Sequence, residues 1–389
     1  MKLSYLLPLA ILVTLAACAT SPEGGGGRRL LLSGNDGKQP MIDGAYRVAA
    51  LPAPDTLTVL DVSAFPPRKI AEIEIQHTVA APPMTIAITA DEKLALVSAP
   101  NHVNPRDKTK VVADNAMQIV DLEASPPRVI DRVDLGHQPL GVSVNRAGTL
   151  ALAAHINGNI SVMTIQGKSV KRAATIKIGE PKSSVRQVAI TPDGRWALAG
   201  KRGENAIAVL SIEGDKVTYT GRDIAVGNNP YGFEISNDGA FAAVANMGRP
   251  DGSDSSVTLI DLTRQPFRGT EQFTVARGPE GIAISPDSRL IAVSSQNGTN
   301  RPKTSPLHAE NGRVALYAVK DGKASKLGEA ATGRNSQGVS FTPDGKYVVV
   351  QNYVEKELAF YRVGSSGPED TGVRVPVSGH PAGFRIAPR

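Results

Sequence analysis

The sequence predicts an all-β protein, a seven-bladed β-propeller built as one domain. Three observations support this prediction: a strand–turn–strand pattern recurs along most of the chain, 28 Pro and 38 Gly supply turn residues, and no long segment has apolar residues at helical spacing. The 389 residues alone would suggest two or three domains, but a repeat array removes that inference. Hydrophobic residues make up 41% of the chain, which is too high for a disordered protein.

The first residues predict a bacterial targeting signal. Met1–Lys2 is a short positively charged start, and Leu3–Leu15 is an apolar run too short to span a bilayer. Leu15–Cys18 resembles a lipobox, which implies cleavage before Cys18, lipidation of its thiol and anchoring by several acyl chains. By the same resemblance, Ala19 implies the periplasmic face of the outer membrane. The alternative is a secretory signal cleaved after Ala19, which would release a soluble periplasmic or secreted protein.

The signal and the repeats divide the chain into three parts. Residues 1–17 form the signal peptide, residues 18–44 the lipidated cysteine and a flexible tether, and residues 45–389 the propeller. The tether contains the glycine run Gly24–Gly27 and no sustained periodicity, although its apolar stretch Leu30–Leu32 has the composition to dock on the domain. The single cysteine of the chain excludes a disulfide framework, a cysteine-based zinc site and a CxxC redox centre.

Recurring copies of one pattern define the predicted blades. The complete copies are 83–99, 139–155, 185–201, 230–246, 279–295 and 336–352. Each copy alternates apolar and polar residues, as in a half-buried strand, and most then turn at Pro-Asp-Gly or a related sequence. A further pair of strands follows, which gives four strands in roughly 45 residues, the size of a propeller blade.

A seventh copy, 381–389, stops at its turn and contains only the first strand of a blade. Three candidate strands near the other end of the chain, 46–50, 56–62 and 69–75, have no inner strand before them. We therefore predict that the two chain ends share one blade and close the ring, because an open ring would leave strand edges unpaired.

The repeat resembles that of the YVTN-repeat (YncE-like) propellers, within the wider superfamily of lactonase-like propellers. The family repeat runs roughly P-x-G-[IV]-A-[IV]-[ST]-P-D-G and ends in Y-V-x-N, and its asparagine is kept here at Asn246 and Asn352. The resemblance implies seven blades over nearly the whole mature chain. It does not select an activity, because such propellers include binding modules, scaffolds and enzymes.

One face of the predicted propeller is elaborated. Two long insertions, 100–116 and 297–312, lie on it, whereas the Pro-Asp-Gly turns of the opposite face are short. All six histidines map to the elaborated face: His77, His102, His137, His155, His308 and His380. We interpret His102 and His308 as ordinary loop residues. The other four lie in adjacent blades, and we expect them to line one arc of the channel mouth.

The elaborated face also carries many basic residues, and the net charge of the chain is +6. We therefore expect an anionic ligand such as a carboxylate, a phosphate or a lactone acid. The predicted ligand-binding residues are His77, His137, His155, Arg186, Lys201, Arg202, Asn246, Asn352 and His380. The charge is too small to predict nucleic-acid binding. The histidines lack the spacing typical of a metal site, so no metal site is predicted, and a multi-histidine site formed where loops bring distant histidines together is the less favoured alternative. No cofactor is predicted.

Two main functions are compatible with these features. The sequence contains no P-loop, no G-x-G-x-x-G and no H-E-x-x-H motif, which favours a binding or scaffold module. In this reading the protein is a membrane-anchored monomer that binds an anionic small molecule or an envelope protein. The alternative is a lactonase-like hydrolase that opens a sugar or carboxylated lactone at the channel mouth. A weaker third interpretation is a partner of a periplasmic dehydrogenase.

The hydrolase alternative requires a general base to activate water and cations to stabilise the oxyanion. The candidate bases are His137, His155 and His380, with Glu180 and Glu204 as further options. The candidate cations are Arg186, Lys201 and Arg202. The polar residues of the blade connectors vary between copies, so the sequence commits to no catalytic residue.

Overall fold

The computed structural model describes residues 28–387, and in this range the protein is all-β. In chain order its strands are β1 (Leu30–Asp36), β2 (Met41–Ile42), β3 (Ala45–Tyr46), β4 (Asp55–Asp61), β5 (Arg68–Ile75), β6 (Ile86–Ile88), β7 (Leu94–Ser98), β8 (Asn101–Val103), β9 (Val111–Ala113), β10 (Ala116–Asp121), β11 (Arg128–Asp134), β12 (Pro139–Val144), β13 (Leu150–His155), β14 (Asn159–Gln166), β15 (Ser169–Lys177), β16 (Val185–Ile190), β17 (Trp196–Lys201), β18 (Ala206–Glu213), β19 (Lys216–Ala225), β20 (Pro230–Ile235), β21 (Phe241–Asn246), β22 (Ser256–Asp261), β23 (Arg268–Thr274), β24 (Pro279–Ile284), β25 (Leu290–Ser295), β26 (Gly312–Lys320), β27 (Lys323–Thr332), β28 (Ser336–Phe341), β29 (Tyr347–Asn352), β30 (Glu357–Gly364), β31 (Gly367–Pro376) and β32 (His380–Ile386).

Helical structure in the described range is limited to two 3₁₀ helices, Pro181–Ser183 and Arg202–Glu204. Between residues 28 and 387, no helix has the length and apolar character that crossing a membrane requires. The predicted signal peptide and the predicted lipidation site, Cys18, lie outside the described residues.

Seven four-stranded antiparallel sheets form the blades. Blade 1 is β6-β7-β10-β11, blade 2 is β12 to β15, blade 3 is β16 to β19, blade 4 is β20 to β23, blade 5 is β24 to β27, blade 6 is β28 to β31, and blade 7 is β32-β1-β4-β5. Each inner strand contacts the inner strands of the two neighbouring blades, and β32 contacts β6. The ring is therefore closed, which confirms the predicted seven-bladed propeller and its closure by strands from both chain ends.

The hydrophobic core lies between adjacent blades. Leu152 and Ile160 of blade 2, for example, pack with Val188 and Ala199 of blade 3, and all four side chains are buried. Full burial of one Val, Leu or Ile side chain is worth about 1.5–3 kcal/mol, so these layers supply the main force that holds neighbouring sheets together. Small and branched aliphatic side chains fill the layers, consistent with the aromatic content of only 4%.

A repeated hydrogen bond shapes the turns on the face opposite the insertions. A Ser or Thr hydroxyl donates to the turn aspartate at 2.6 Å in five blades: Thr89 to Asp91, Thr191 to Asp193, Ser236 to Asp238, Ser285 to Asp287, and Thr342 to Asp344. In each turn the same carboxylate also accepts a backbone N–H from the residue two positions later. These aspartates therefore have a structural role, since they fix the turns.

The structure places the start of the propeller earlier than residue 45. Leu30–Asp36, predicted as part of the tether, is β1, the second strand of blade 7, and it pairs with β32 on one side and β4 on the other. Residues 46–50 do not supply this strand. Ala45–Tyr46 pairs instead with Met41–Ile42 in a short hairpin.

Burial on both sides explains why the pattern of β1 is hidden in the sequence. Leu30 and Leu32 pack against blade 1, whereas Leu31, between them, packs against blade 6. A strand covered on both faces reads as a continuous apolar run and lacks the alternation of a half-exposed strand. Its glycine-rich neighbourhood then resembles a linker.

Three insertions, one more than predicted, extend the elaborated face. Residues 99–115 and 296–311 connect the second and third strands of blades 1 and 5, and residues 37–54 make the same connection in blade 7. The backbone N–H of Lys303 donates to Asp43 Oδ1 at 3.0 Å. The blade 7 insertion therefore reaches the blade 5 insertion and lies over part of the channel mouth.

Candidate active site at the channel mouth

A ring of side chains surrounds the channel just below the elaborated face. Each comes from the variable position of the P-x-G sequence, or its equivalent, at the start of an inner strand. In blade order the residues are Met84, Leu140, Arg186, Tyr231, Glu280, Gln337 and Ala382. Blades 7, 1 and 2 contribute apolar residues, and blades 3 to 6 contribute polar or charged residues. The repeat thus builds a constant backbone that presents a different group from each blade.

Glu280 is the central ionisable group of the polar side of this ring. Its side chain is 3% exposed, and its Oε2 accepts a hydrogen bond from Gln296 Nε2 at 2.9 Å. Burial raises the pKa of Glu280 to about 7, against the opposing effects of Arg202, the Tyr231 hydroxyl and Arg186. The carboxyl group therefore exchanges its proton near neutral pH, which is the property required of a general base or acid.

Two arginines on the same side of the channel have no carboxylate partner at ion-pair distance within residues 28–387. The Nε of Arg186 is buried and makes no hydrogen bond in this range, and burial lowers the pKa of this guanidinium from its ordinary value. Arg202 donates from Nε to Asn229 Oδ1, and its guanidinium lies 5.5 Å from the centre of the Tyr231 ring. An unpaired buried donor is costly, and an anionic ligand oxygen would satisfy it.

The blade 7 insertion brings a tyrosine to this cluster. The hydroxyl of Tyr46 accepts a hydrogen bond from Asn335 Nδ2 at 2.8 Å, and its ring packs edge-on against Tyr353. Tyr46 is 39% exposed, but its hydroxyl end is enclosed beside buried Asn335, and this enclosure and then the charge of Glu280 raise the pKa of Tyr46 well above its usual range. Nearby, Gln337 Oε1 is buried and has no partner in the described range. Tyr46 therefore helps to separate the Glu280 carboxyl from solvent.

The histidines predicted to line the mouth are held in other environments. His77 is fully buried, with Nε2 2.9 Å from Thr85 Oγ1, and burial lowers its pKa to about 3. A Cβ placed on Gly34 would come within 2.5 Å of the His77 ring, so the imidazole occupies the space that glycine leaves beside β1. His380 donates from Nδ1 to the Tyr353 carbonyl at 2.8 Å and stacks on the Tyr353 ring.

His155 and His137 form a separate pair in blade 2. His155 donates from Nδ1 to the Gln138 carbonyl at 3.2 Å, its Nε2 lies 2.8 Å from Ser161 Oγ, and burial lowers its pKa to about 4. The ring of His137 packs edge-on against it at 5.8 Å. In the described range, no three His, Cys, Asp or Glu side chains are grouped to hold a metal ion.

Lys201 and the two asparagines of the repeat also make local structural contacts. Lys201 forms ion pairs with Glu204 at 2.5 Å and Asp223 at 2.7 Å. Asn246 donates to Thr258 Oγ1 at 2.9 Å, and Asn352 donates to Glu357 Oε1 at 2.9 Å. The asparagine bonds link neighbouring strands of single blades, and the Lys201 ion pairs stay within blade 3.

The other two carboxylates named as bases have cationic partners. Glu180 is exposed and pairs with Lys177 at 2.7 Å. The Lys201 and Ser183 side chains hold the pKa of Glu204 below its usual range despite partial burial, so this carboxylate is a weaker base than Glu280. Of the residues named from the sequence, the structure brings Arg186 and Arg202 to Glu280. Glu280, Tyr231 and Tyr46 were missed, although aligning the variable position of each P-x-G would have singled out the first two.

Comparison with known sequences gives a family match over part of the chain. The sequence model of the family described as "Lactonase, 7-bladed beta-propeller" matches residues 168–251. A search of curated proteins gives no significant match. The match covers the outer strand of blade 2, all of blade 3 and the first two strands of blade 4, including Arg186, Arg202 and Tyr231.

Similar solved structures span almost the whole chain. A putative 6-phosphogluconolactonase from Bacteroides fragilis has a TM-score of 0.71 at 17% identity, covering 94% of this chain and 99% of that one. A second, from Bacteroides uniformis, has a TM-score of 0.70 at 16% identity, with coverages of 92% and 99%. A periplasmic gluconolactonase from Pseudomonas aeruginosa has a TM-score of 0.66 at 16% identity, with coverages of 92% and 98%. At these identities the likeness establishes the seven-bladed fold that this chain shares with them.

Proposed function

We propose that this protein is a hydrolase that opens a lactone at the channel mouth, with Glu280 as the general base. The observation that carries the proposal is the Glu280 carboxyl, whose pKa is raised to about 7, placed among Arg186, Arg202 and Tyr231. The family match and the solved structures named as lactonases support the same chemistry.

The reaction follows from the groups present. The Glu280 carboxylate removes a proton from water as the water oxygen attacks the lactone carbonyl carbon, and the carbonyl electron pair moves onto its oxygen. Collapse of this tetrahedral oxyanion breaks the ring C–O bond, and the leaving alkoxide takes the proton from Glu280. One lactone and one water thus give one hydroxy acid, which ionises and releases a proton.

The arginines have an electrostatic role in this scheme. Arg186 has an unpaired buried Nε, and a guanidinium already in place stabilises an oxyanion without reorganisation during the reaction. Arg202, fixed by Asn229 and the Tyr231 ring, adds a second positive charge on the same side. Removal of one such donor typically costs about 100- to 1,000-fold in rate.

Acid release from a panel of sugar and aromatic lactones tests this proposal. We expect the purified protein to hydrolyse at least one lactone, and Arg186→Gln to reduce that rate by about 100-fold or more. Arg146→Gln is the matched control, because Arg146 donates to the Asn237 carbonyl at the opposite end of the channel. If the protein binds the corresponding hydroxy acids but turns over no lactone, the function is that of a binding module.

We further propose that the protein is anchored in the bacterial cell envelope through Cys18. The support is the lipobox-like sequence Leu15–Cys18, in which the single cysteine of the chain occupies the required position. Metabolic labelling with radioactive palmitate should label the protein and not its Cys18→Ser variant. Unlabelled protein recovered from the soluble periplasmic fraction would support the secretory alternative.

A further inference from the structure

A cavity lies in the channel at the end opposite the proposed active site. Its volume is about 130 Å³, and Pro192 and Pro286, from the turns of the face opposite the insertions, form part of its wall. The cavity therefore opens on that face. Apolar cavities of roughly 150 Å³ in other proteins take one benzene-sized molecule, so this channel cavity has room for a single small ring or branched chain.

Two layers of side chains from the inner strands line the channel cavity. One residue per blade forms a complete apolar ring: Ile88, Val144, Ile190, Ile235, Ile284, Phe341 and Ile386. The preceding residue of each blade forms the next layer toward the mouth: Ala87, Ser143, Ala189, Glu234, Ala283, Ser340 and Arg385. Alanine or serine at five of these seven positions leaves open space, and the longer side chains of Glu234 and Arg385 meet in it from blades 4 and 7.

Arg385 brings an incompletely satisfied positive charge into this space. Its Nη1 lies 3.6 Å from Glu234 Oε1, which is beyond hydrogen-bond distance, and its guanidinium donates no hydrogen bond within residues 28–387. Glu234 holds its other oxygen, Oε2, on the backbone N–H of Ile284 at 2.8 Å. Enclosure in the channel raises the pKa of Glu234, which favours the neutral form of this carboxyl and limits its repulsion of a second carboxylate.

The other charged groups of the wall have partners of their own. Arg29 pairs with Glu92 at 3.2 Å, and Arg146 donates to the Asn237 carbonyl at 2.7 Å. Within residues 28–387, Glu234 is the only carboxylate that lines the channel cavity, against three arginines. The surplus of positive charge favours an anion as the ligand, and the free donors of Arg385 are where its charge would lie.

We propose that the channel cavity binds a small monocarboxylate with a compact apolar body, such as an aromatic or branched-chain carboxylate. The ligand carboxylate accepts two N–H groups of Arg385, since the planar guanidinium matches a carboxylate bidentately. The apolar body of the ligand packs against the apolar ring and leaves water. This site is independent of the proposed function, because the groups assigned to hydrolysis lie at the other end of the channel.

The first experiment tests the chemistry of the ligand. Benzoate, benzamide and acetate are titrated into the purified protein, and binding is followed by ligand-observed NMR. Benzamide has the shape of benzoate without its charge, and acetate has the charge without the ring. We expect a Kd of about 1 mM or below for benzoate, and binding at least 10-fold weaker for the other two compounds. Equal affinity for benzoate and either of these compounds would overturn the proposal.

The second experiment locates the bound benzoate. Arg385→Gln should weaken benzoate binding by about 10- to 100-fold, whereas Arg268→Gln, exposed on the outer strand β23, should change it by less than about twofold. Ala189→Leu adds a larger side chain to the wall and keeps the guanidinium, so it should weaken benzoate binding at least 10-fold by filling the cavity.

The two cavity variants and a mouth variant together decide the location. Arg186→Gln should keep the benzoate affinity of the parent within about twofold. Unchanged benzoate affinity in both Arg385→Gln and Ala189→Leu would overturn the channel cavity as the site. Loss of binding in Arg186→Gln with retention in Arg385→Gln would place the carboxylate at the mouth and would equally overturn the proposal.

Discussion

At the scale of single residues, the proposed chemistry depends on the different surroundings of two buried carboxyl groups in the channel. Burial raises the pKa of both Glu280 and Glu234. Glu234, however, lies toward the opposite end of the channel, where Arg385 and the backbone N–H of Ile284 occupy its oxygens at 3.6 and 2.8 Å. Glu280 lies at the mouth end of the channel, beside the Arg186 and Arg202 guanidinium groups, which have no carboxylate partner at ion-pair distance within residues 28–387.

The pKa of Glu280 predicts how activity depends on pH. A general base acts in its ionised form, so kcat/KM should rise about tenfold per pH unit below pH 7 and level off above it. The measurement is acid release at fixed ionic strength from pH 5 to pH 8.5. An activity that is flat or falling from pH 5 to pH 8.5 would exclude Glu280 as the base.

The buried histidine His155 predicts that the stability of the protein, unlike its activity, depends on pH well below neutrality. An unfolded histidine gains a proton near pH 6.5, whereas His155 in the folded protein remains neutral down to about pH 4. Between these pH values the unfolded chain binds more protons than the folded protein does. The contribution of neutral His155 to stability is therefore fully present above pH 6.5 and is lost on acidification. This lowering of the His155 pKa corresponds to about 3 kcal/mol in the free energy of unfolding. The thermal midpoint should therefore fall from pH 7 to pH 4.5, and by less in His155→Gln; an equal fall in both proteins would refute this explanation.

The sequence predicts part of the site at this scale. Arg186 and Arg202 are predictable because basic residues concentrate on one face of the repeat. Glu280 occupies a P-x-G position that carries no motif of its own, and its raised pKa arises from burial that only the closed ring creates. His77, His155 and His380 are held by local contacts, because polar loops and tight inter-strand spaces both accept imidazole.

At the scale of elements, the position of the blade 7 insertion (residues 37–54) depends on how the N-terminal strand pairs. It belongs to the mouth only because β1 precedes it and enters blade 7. Its hairpin, β2–β3, places Tyr46 against Asn335 and Tyr353. Since burial is the largest influence on the pKa of Glu280, removal of this cover should change the acid–base behaviour of the site.

Tyr46→Ala tests the cover directly. Water would reach Glu280, its pKa would move toward its ordinary value, and the acidic limb of the kcat/KM profile would shift to lower pH by about one unit. Leu51→Ala is the control, because Leu51 is on the same insertion but 90% exposed, and it should leave the profile unchanged. Superimposable profiles for Tyr46→Ala and the parent would show that Tyr46 does not shield the carboxyl.

At the scale of the whole molecule, the propeller depends on pairing between the two ends of the chain. The sequence predicts the number of blades and the closure of the ring, because the inner strand and the turn of each blade are recognisable in each repeat. It does not predict which N-terminal segment pairs with β32, since β1 is buried on both sides and lacks alternation. The interface between β1 and β32 runs from Leu31–Ile386 to Asp36–His380.

Truncation at either end should therefore open the ring. Deletion of Ala382–Arg389 removes most of β32, and a chain beginning at residue 45 lacks β1; both would expose unpaired strand edges and aggregate. A chain beginning at residue 28 retains β1 and is the matched control. Size-exclusion chromatography and thermal unfolding distinguish the cases. A monomeric, cooperatively unfolding protein that begins at residue 45 would show that β1 is dispensable for closure.

The comparison of Glu280→Gln with Glu234→Gln tests the central claim most directly. Each variant replaces one carboxyl with a shape-matched amide in the same channel, one at the mouth and one toward the opposite end. On the best lactone of the panel at pH 8, Glu280→Gln should lose about 100- to 10,000-fold in kcat/KM, while Glu234→Gln should keep the activity of the parent within about threefold. Undiminished hydrolysis by a folded Glu280→Gln protein would contradict the assignment of Glu280 as the base.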